Sequence, residues 1–324
     1  MTRYVLRRLA ESLPLLLAVS VLVFALLQAS PGSPLAQLER DPTITQADIE
    51  RLMEERGYND PWFVQYGRWL GGALKGDFGA SLQTGRPATT EVLTRVPNTL
   101  VLVGVAFIVT LLIAIPVGVL SAVRQYSAFD HIVTTLTFMG QSVPIFWLGL
   151  LLIMVFYLGL SNPFTGGPLF PAGGMYTLGR EDVLSNRIWH LVLPVVMLTS
   201  TWVAWYTRFL RASMLDVLGL DYVRTARAKG AAERIVIFRH ALRNASMPLI
   251  TLIGLDLPML FSGALFTETI FSWPGMGRLF YQSALRRDYT VLMVIIMLTS
   301  ALIVIANLLA DVAYAAVDPR ITYD

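Results

Sequence analysis

Apolar residues in this chain run in long unbroken stretches and do not alternate with polar ones. Residues 99–123, 132–160 and 289–310 contain no Asp, Glu, Lys or Arg; 188–207 carries only His190, and 245–267 only Asp256. A bilayer core about 30 Å thick is crossed by roughly 20 mostly apolar helical residues, so each stretch is a predicted span. A sixth, 9–28, is interrupted only by Glu11 near its start, where a side chain still reaches the interface. Arg3, Arg7 and Arg8 before this run also fit a secretory signal peptide, but Leu27 spoils the small-residue cleavage pattern ahead of Ala29. A retained anchor helix is expected. The pattern predicts an all-α integral membrane protein with six transmembrane helices.

Basic residues near helix ends set the orientation. Arg3, Arg7 and Arg8 place the N-terminus in the cytoplasm. Arg124 then falls inside, as do Arg208, Arg211, Arg224, Arg227, Lys229, Arg234, Arg239 and Arg243 between the fourth and fifth spans. Residues 31–97 fall outside; Arg278, Arg286 and Arg287 do too, against the trend. Six spans with both termini in the cytoplasm fit best. The expected organisation is an anchor helix plus external segment (1–98), a five-span core (99–313) containing a cytoplasmic loop (208–244), and a cytoplasmic tail (314–324).

The external segment is expected to be mostly helical. Residues 45–56 read as a short helix, with Thr45 to cap it, Asp48 and Glu50 in its first turn and Gly57 to stop it. Trp62, Phe63, Tyr66, Trp69 and Leu70 recur at helical spacing and suit an element lying along the interface. A cap packed on the helix ends is preferred over direct contact with a solute.

Composition agrees with the pattern. The 324 residues are 55% hydrophobic and 15% charged, against about 25% charge in a soluble domain. The net charge of +3 is small, so its placement carries the information. There is no cysteine, hence no disulfide framework, thiolate metal site or cysteine nucleophile. His131, His190 and His240 are isolated, so no metal cluster is indicated. The phosphate loop G-x-x-x-x-G-K-[ST] is missing, and ATP hydrolysis is not expected of this chain.

Pro116, Pro144, Pro194, Pro248 and Pro258 lie inside predicted spans, where each removes a backbone hydrogen bond and kinks its helix. Gln141, Ser142, Thr199, Ser200 and Thr201 add polar groups at the same depth. Kinked, partly polar helices suit a conduit, although bundles that conduct nothing also contain them. Asp256 is the one acid deep in a span, and a charge there costs about 2.5–3.5 kcal/mol even on insertion scales. It is expected to line the path and favour cationic or amino-bearing solutes; the alternative is a protonated carboxyl, or one bonded to kinked backbone beside Pro258. Glu268 ends the fifth span, and Phe271, Trp273, Pro274, Gly275 and Gly277 follow in a tight external segment that reads either as a gate-like re-entrant turn or as a static interfacial anchor. Gln141, Asp256, Glu268 and Trp273 are the candidate pathway residues.

The loop 216–244 reads DVLGLDYVRTARAKGAAERIVIFRHALRN. Asp221 is a candidate N-cap for a two-turn helix over 222–229. Arg227 and Lys229 suit its C-terminal dipole, and Gly230 is the residue type that ends a helix in the left-handed conformation. Residues 231–243 resume as an amphipathic helix with Ile235, Phe238 and Leu242 on one stripe. A basic lipid-surface loop would explain the charge. A capped helix, a hinge and a second helix also form a compact knob suited to a groove on a cytoplasmic partner.

This segment resembles the coupling loop of binding-protein-dependent ABC importer permeases, and 211–248 most resembles the B-type permeases of dipeptide, oligopeptide and nickel importers. The resemblance covers nearly the whole chain: YVLRRL, SPGSP, DPWFVQYGRWLGGALKGDFGASL, IPVGVLSAV, SVPIFWLGLLLI, TETIFSWPGMGRL, RRDY and DPRI occur in order. Arg224, Thr225 and Ala226 replace the general Glu-Ala-Ala opening, as TARAKG of the peptide-type permeases does, and Ser33 stands where the family usually has Asp. The resemblance implies a type I ABC importer permease fold in the cytoplasmic membrane. It implies a homologous C-type permease completing a heterodimer, two ATPase subunits holding ATP and Mg, and an external solute-binding protein. No cofactor of this chain and no nucleic-acid partner are implied. By the same resemblance, Asp221, Tyr222, Arg224, Thr225, Ala226, Arg227, Lys229 and Gly230 couple to an ATPase groove.

Dipeptides or oligopeptides lead as solutes, because the loop reads TARAKG; relatives carry nickel chelates, glutathione and short oligosaccharides. A proton-coupled secondary transporter would need paired repeats and ion sites, and an intramembrane enzyme a convergent nucleophile and base. One intramembrane acid and no visible repeat argue against the first, and Asp256 without a partner or a spaced His–acid set against the second.

Overall fold

The computed structural model describes residues 2–31, 33, 43–256 and 264–317. Its helices, in chain order, are α1 (Thr2–Gln28), α2 (Gln46–Glu55), α3 (Trp62–Ala73), α4 (Ala88–Leu93), α5 (Val96–Val123), α6 (Ala128–Ser142) and α7 (Ile145–Ile153). They continue with α8 (Leu184–Leu218), α9 (Asp221–Ala228), α10 (Glu233–Ile235), α11 (Arg243–Asp256), α12 (Leu265–Ile270), α13 (Met276–Leu285) and α14 (Tyr289–Val317). Wider π turns follow α7 (Met154–Gly159) and α10 (Val236–Leu242). The protein is all-helical; among the described residues strand pairing is confined to the isolated bridges Ala80–Pro87 and Ser161–Pro168.

Four helical stretches are long and apolar enough to cross a membrane: Arg7–Gln28, Ala88–Val123, Leu184–Leu218 and Tyr289–Leu309. The expected span 132–160 is not one straight helix. Ala128–Ser142 and Ile145–Gly159 meet at 99°, and together they make up to a fifth span. Val143 between them is extended (φ −80°, ψ 124°), because the Pro144 ring disfavours helical backbone in the residue before it and supplies no N–H. The remaining expected span, 245–267, runs through 257–263, which with Pro258 lie outside the described residues. Six spans are compatible with the fold. The last helix continues to Val317, and 318–324 of the expected tail likewise lie outside the described residues. Pro116, Pro194 and Pro248 sit within continuous helices.

The chain divides into two compact units, one formed by the described residues before 99 and after 274, the other by 99–274. In the first, α1 packs along α14 and against α3. Ser20 and Tyr66 share a hydrogen bond of 2.8 Å, and the Phe24 ring meets Tyr66 edge-on at 5.5 Å. The expected capping of α2 is present: the Asp48 N–H donates to the Thr45 hydroxyl and the Thr45 N–H to the Asp48 carboxylate. The Thr45 hydroxyl, which donates to the same carboxylate at 2.6 Å, and then the Thr45 N–H hold the Asp48 carboxyl below its ordinary range. Gly57 (φ +66°) takes the left-handed turn after the helix. Ala88, Val92, Met276, Val291, Val294 and Ile295 form the core, and Ser81 donates to the buried Asp288 carboxylate at 2.5 Å.

In the second unit, α8 is the central element, packed on α6, α7 and α11. It has 35 residues, or about 50 Å at 1.5 Å per residue, well beyond a bilayer core. No Gly or Pro interrupts it between Thr207 and Gly219, so the helix carries Arg208 and Arg211 past the predicted span end without a break. Phe107, Tyr206, Leu210, Met214, Ala241, Ala245 and Leu249 form the core beside its C-terminal half. Gly118 of α5 approaches the Thr207 carbonyl so closely that an added Cβ would lie 3.0 Å from the oxygen, which is the small-residue contact that membrane helix pairs favour.

Candidate functional site

Past Gly219 the chain folds into a small projecting knob. Leu220, extended at φ −77° and ψ 150°, occupies the N-cap position of α9, and no side chain caps the helix. Asp221 is therefore its first residue, not its cap: an acid in the first turn, favoured by the helix dipole and otherwise exposed. At the other end Gly230 adopts φ +78°. The Gly230 N–H donates to the Arg227 carbonyl at 2.9 Å and the Ala231 N–H to the Ala226 carbonyl at 3.2 Å, the paired bonds of a Schellman ending. Arg227 then reaches across the turn to Glu233, with Nη2–Oε1 at 2.7 Å and Nε–Oε2 at 3.1 Å.

One side of the knob anchors it and the other is presented. Val223 is fully buried, and Tyr222 accepts a hydrogen bond of 2.8 Å from Asn244. Asp221, Arg224, Thr225, Arg227, Lys229 and Gly230 are exposed and Ala226 half-buried. Six of the eight expected coupling residues thus lie on α9, and Lys229 and Gly230 form the turn that ends it. Val223, which sequence reasoning passed over, holds it down; its signal was an apolar side chain alone among polar neighbours.

The segment after Gly230 departs from the expected helix over 231–243. It is one α-turn followed by a π stretch, and the buried residues are Val236, Ala241 and Ala245, while Ile235 and Phe238 are exposed. The π geometry adds a residue per turn and so rotates the buried face away from the stripe that a regular helix would bury.

The Arg227–Glu233 pair is a modest fastener. Its side chains are 42% and 54% exposed, so removing Arg227 as Arg227→Ala is expected to cost no more than about 1 kcal/mol. Its bond to Arg227 holds the Glu233 carboxyl below the ordinary 4.5. A depressed folded-state value means that the pair contributes above that pH and is lost as pH falls through the folded value. Amide exchange at Gly230 and Ala231 should accelerate in the Arg227→Ala protein, and the wild-type difference should shrink as the medium is acidified.

Beneath the knob, α8 is locked to α6. Arg211 donates two hydrogen bonds to Asp130, Nε–Oδ1 at 2.6 Å and Nη2–Oδ2 at 2.7 Å. Ser121 and the Tyr126 N–H complete the carboxylate's shell. Asp130 is 3% exposed and Arg211 24%. Sequence reading placed Arg211 among the orientation charges and did not find its partner, 81 residues away.

Of the four candidate pathway residues, two share one cavity. Gln141 and Asp256 line a space of about 290 Å³ with Phe107, Trp202, Trp205 and Tyr206. The Tyr206 hydroxyl donates to Asp256 Oδ2 at 2.5 Å, and Arg208 donates to the Gln141 side-chain oxygen. Glu268 and Trp273 lie elsewhere in this unit. Glu268 is fully buried and accepts from the Thr99 hydroxyl at 2.7 Å. Trp273, 1% exposed, packs among Leu102, Val103, Ala106, Val195 and Leu198. His190 is a packing residue, with Nδ1 2.9 Å from the Gly173 carbonyl oxygen.

These features define a multi-pass helical inner-membrane permease with a projecting basic loop. Residues 114–323 match the family described as binding-protein-dependent transport system inner membrane component, and 1–103 match its membrane component N-terminal family. The chain is 47% identical over 324 residues to the oligopeptide transport system permease protein AppB of Bacillus subtilis, covering 100% of both chains. It is 38% identical over 340 residues to the dipeptide transport system permease protein DppB of Escherichia coli, covering 100% of this chain and 99% of that one. A putative peptide permease protein of Brucella suis is 39% identical over 323 residues, 99% of each chain. The chain belongs to the family of binding-protein-dependent transport system inner membrane components, as a B-type permease.

Proposed function

We propose that this permease carries dipeptides or oligopeptides inward across the cytoplasmic membrane, driven by ATP hydrolysed on separate subunits. The observation that carries the reading is the knob: a rigidly ended, two-turn helix with a basic exposed face, fastened to the long helix α8 that runs on into the membrane. A homologous C-type permease completes the pathway, two ATPases seat the knobs of both permeases, and an external binding protein delivers the solute. Closure of the ATPase pair around ATP pushes on α9, and α8 transmits that push to the helices packed on it. Both termini lie in the cytoplasm. The peptide assignment is supported by relatives whose names specify oligopeptide or dipeptide transport.

Proteoliposomes containing the assembled importer and its binding protein test this. Radiolabelled dipeptide should accumulate only when ATP and Mg reach the ATPase side. Accumulation driven by a proton gradient without ATP would contradict the reading, and ATP-driven uptake confined to nickel chelates, glutathione or oligosaccharides would replace the solute while keeping the machine.

A further inference from the structure

The cavity that unites Gln141 and Asp256 has chemistry that a plain conduit does not require. Asp256 is the one formally charged residue among those lining it, and the surrounding wall is aromatic: Phe107, Trp202, Trp205 and Tyr206. Asp256 Oδ2 accepts from Tyr206, whereas Oδ1 has no hydrogen-bond partner among the described residues. A carboxylate set among aromatic side chains attracts an organic cation, through the counter-charge and the ring quadrupoles together. The cation Arg208 stands behind Gln141, bonded to it and lying 5.0 Å from the centre of the Phe138 ring. It repels a second positive charge from that side and so directs a cationic ligand to the Asp256 wall.

The volume narrows the ligand. About 290 Å³ lies at the floor of the range of roughly 300–1,000 Å³ typical of small-molecule pockets, enough for the end of a peptide and not for a long one. We propose that this cavity is a subsite for a primary ammonium group, the α-ammonium end of a peptide, with Asp256 as counter-ion and Trp202 and Trp205 as walls. The proposal rests on the reading of the chain as a peptide-transport subunit and adds the chemical group that the subunit itself selects.

The test is equilibrium binding of tritiated dialanine to the assembled importer in lipid nanodiscs, without its binding protein. Saturable binding is expected, displaced by unlabelled dialanine at least about tenfold better than by N-acetyl-dialanine, which lacks the ammonium. Asp256→Asn keeps the size of the side chain and its bond from Tyr206, and should weaken binding about tenfold or more. Trp205→Leu, on the opposite kind of contact, should weaken it several-fold. Absence of saturable binding, equal displacement by the acetylated peptide, or unchanged binding in both variants would overturn the subsite. Displacement by N-acetyl-lysyl-alanine as effective as by dialanine would overturn the terminal assignment, because a side-chain ammonium would then serve equally. ATP-dependent uptake by the same preparation separates the two ideas. Wild type that transports no peptide defeats the transport reading, while normal uptake with unaltered binding by Asp256→Asn defeats only the subsite.

Discussion

Replacing Gly230 with valine should leave the permease inserted in the membrane and sever uptake from ATP hydrolysis. Gly230 sits at φ +78°, and a Cβ placed on it would meet nothing within 4 Å. The chain therefore has room for a side chain, and the penalty lies in the backbone. An L-residue in the left-handed region costs roughly 1–2 kcal/mol, and a β-branched one more. Relief of that strain would undo the Schellman bonds of Ala226 and Arg227 and swing α9 on its tether. The added side chain would also stand on the face offered to a partner. Uptake is expected to fall about tenfold, on the order of the strain converted at 1.4 kcal/mol per decade, while ATP hydrolysis by the partner subunits continues. Asparagine tolerates this backbone conformation, so Gly230→Asn should keep much more activity than Gly230→Val. Undiminished uptake by the valine protein would refute the coupling role.

The second large effect belongs to the lock between α6 and α8. Arg211→Met leaves the Asp130 carboxylate, 3% exposed, with only Ser121 and the Tyr126 N–H. Breaking a buried pair from one side costs about 3–5 kcal/mol, so a marked fall in thermal stability and in folded yield is expected. Asp130→Asn should cost less, because Arg211 keeps access to solvent at 24% exposure. The double variant should be more stable than the two single losses added together, since removing both partners strands neither. Thermal unfolding of the purified protein checks all three, and strict additivity would show that the pair does not hold the helices together.

Charge-free stretches longer than a bilayer core made the membrane class legible, and Thr45, Gly57 and Gly230 marked helix ends by side-chain chemistry alone. Local signals were weaker where tertiary geometry decides. Pro144 was visible as a kink, but a 99° break depends on how α6 and α7 each pack against α8. The stripe Ile235, Phe238, Leu242 assumed a regular helix, and the π turns of Val236–Leu242 moved burial to Val236 and Ala241. The Asp221 side chain suits a cap, yet the extended backbone that precedes the helix is at Leu220.

The candidate site divides along the same line. Its expected coupling residues are neighbours in sequence, and their order alone groups them. Asp130 with Arg211, Thr99 with Glu268, and Gln141 with Asp256 are brought together only by folding, across 81 and 169 residues in the first two pairs. A sequence shows that such a polar group is costly inside a span but not which partner meets it.

Because the chain contains no cysteine, a single one introduced as Ala228→Cys on the exposed face of α9 reports on that helix alone. In the assembled importer it should cross-link to an ATPase subunit and resist a water-soluble thiol reagent, and it should become reactive when the permeases are purified without the ATPases. Equal reactivity in both preparations, with no cross-link in any nucleotide state, would contradict the account.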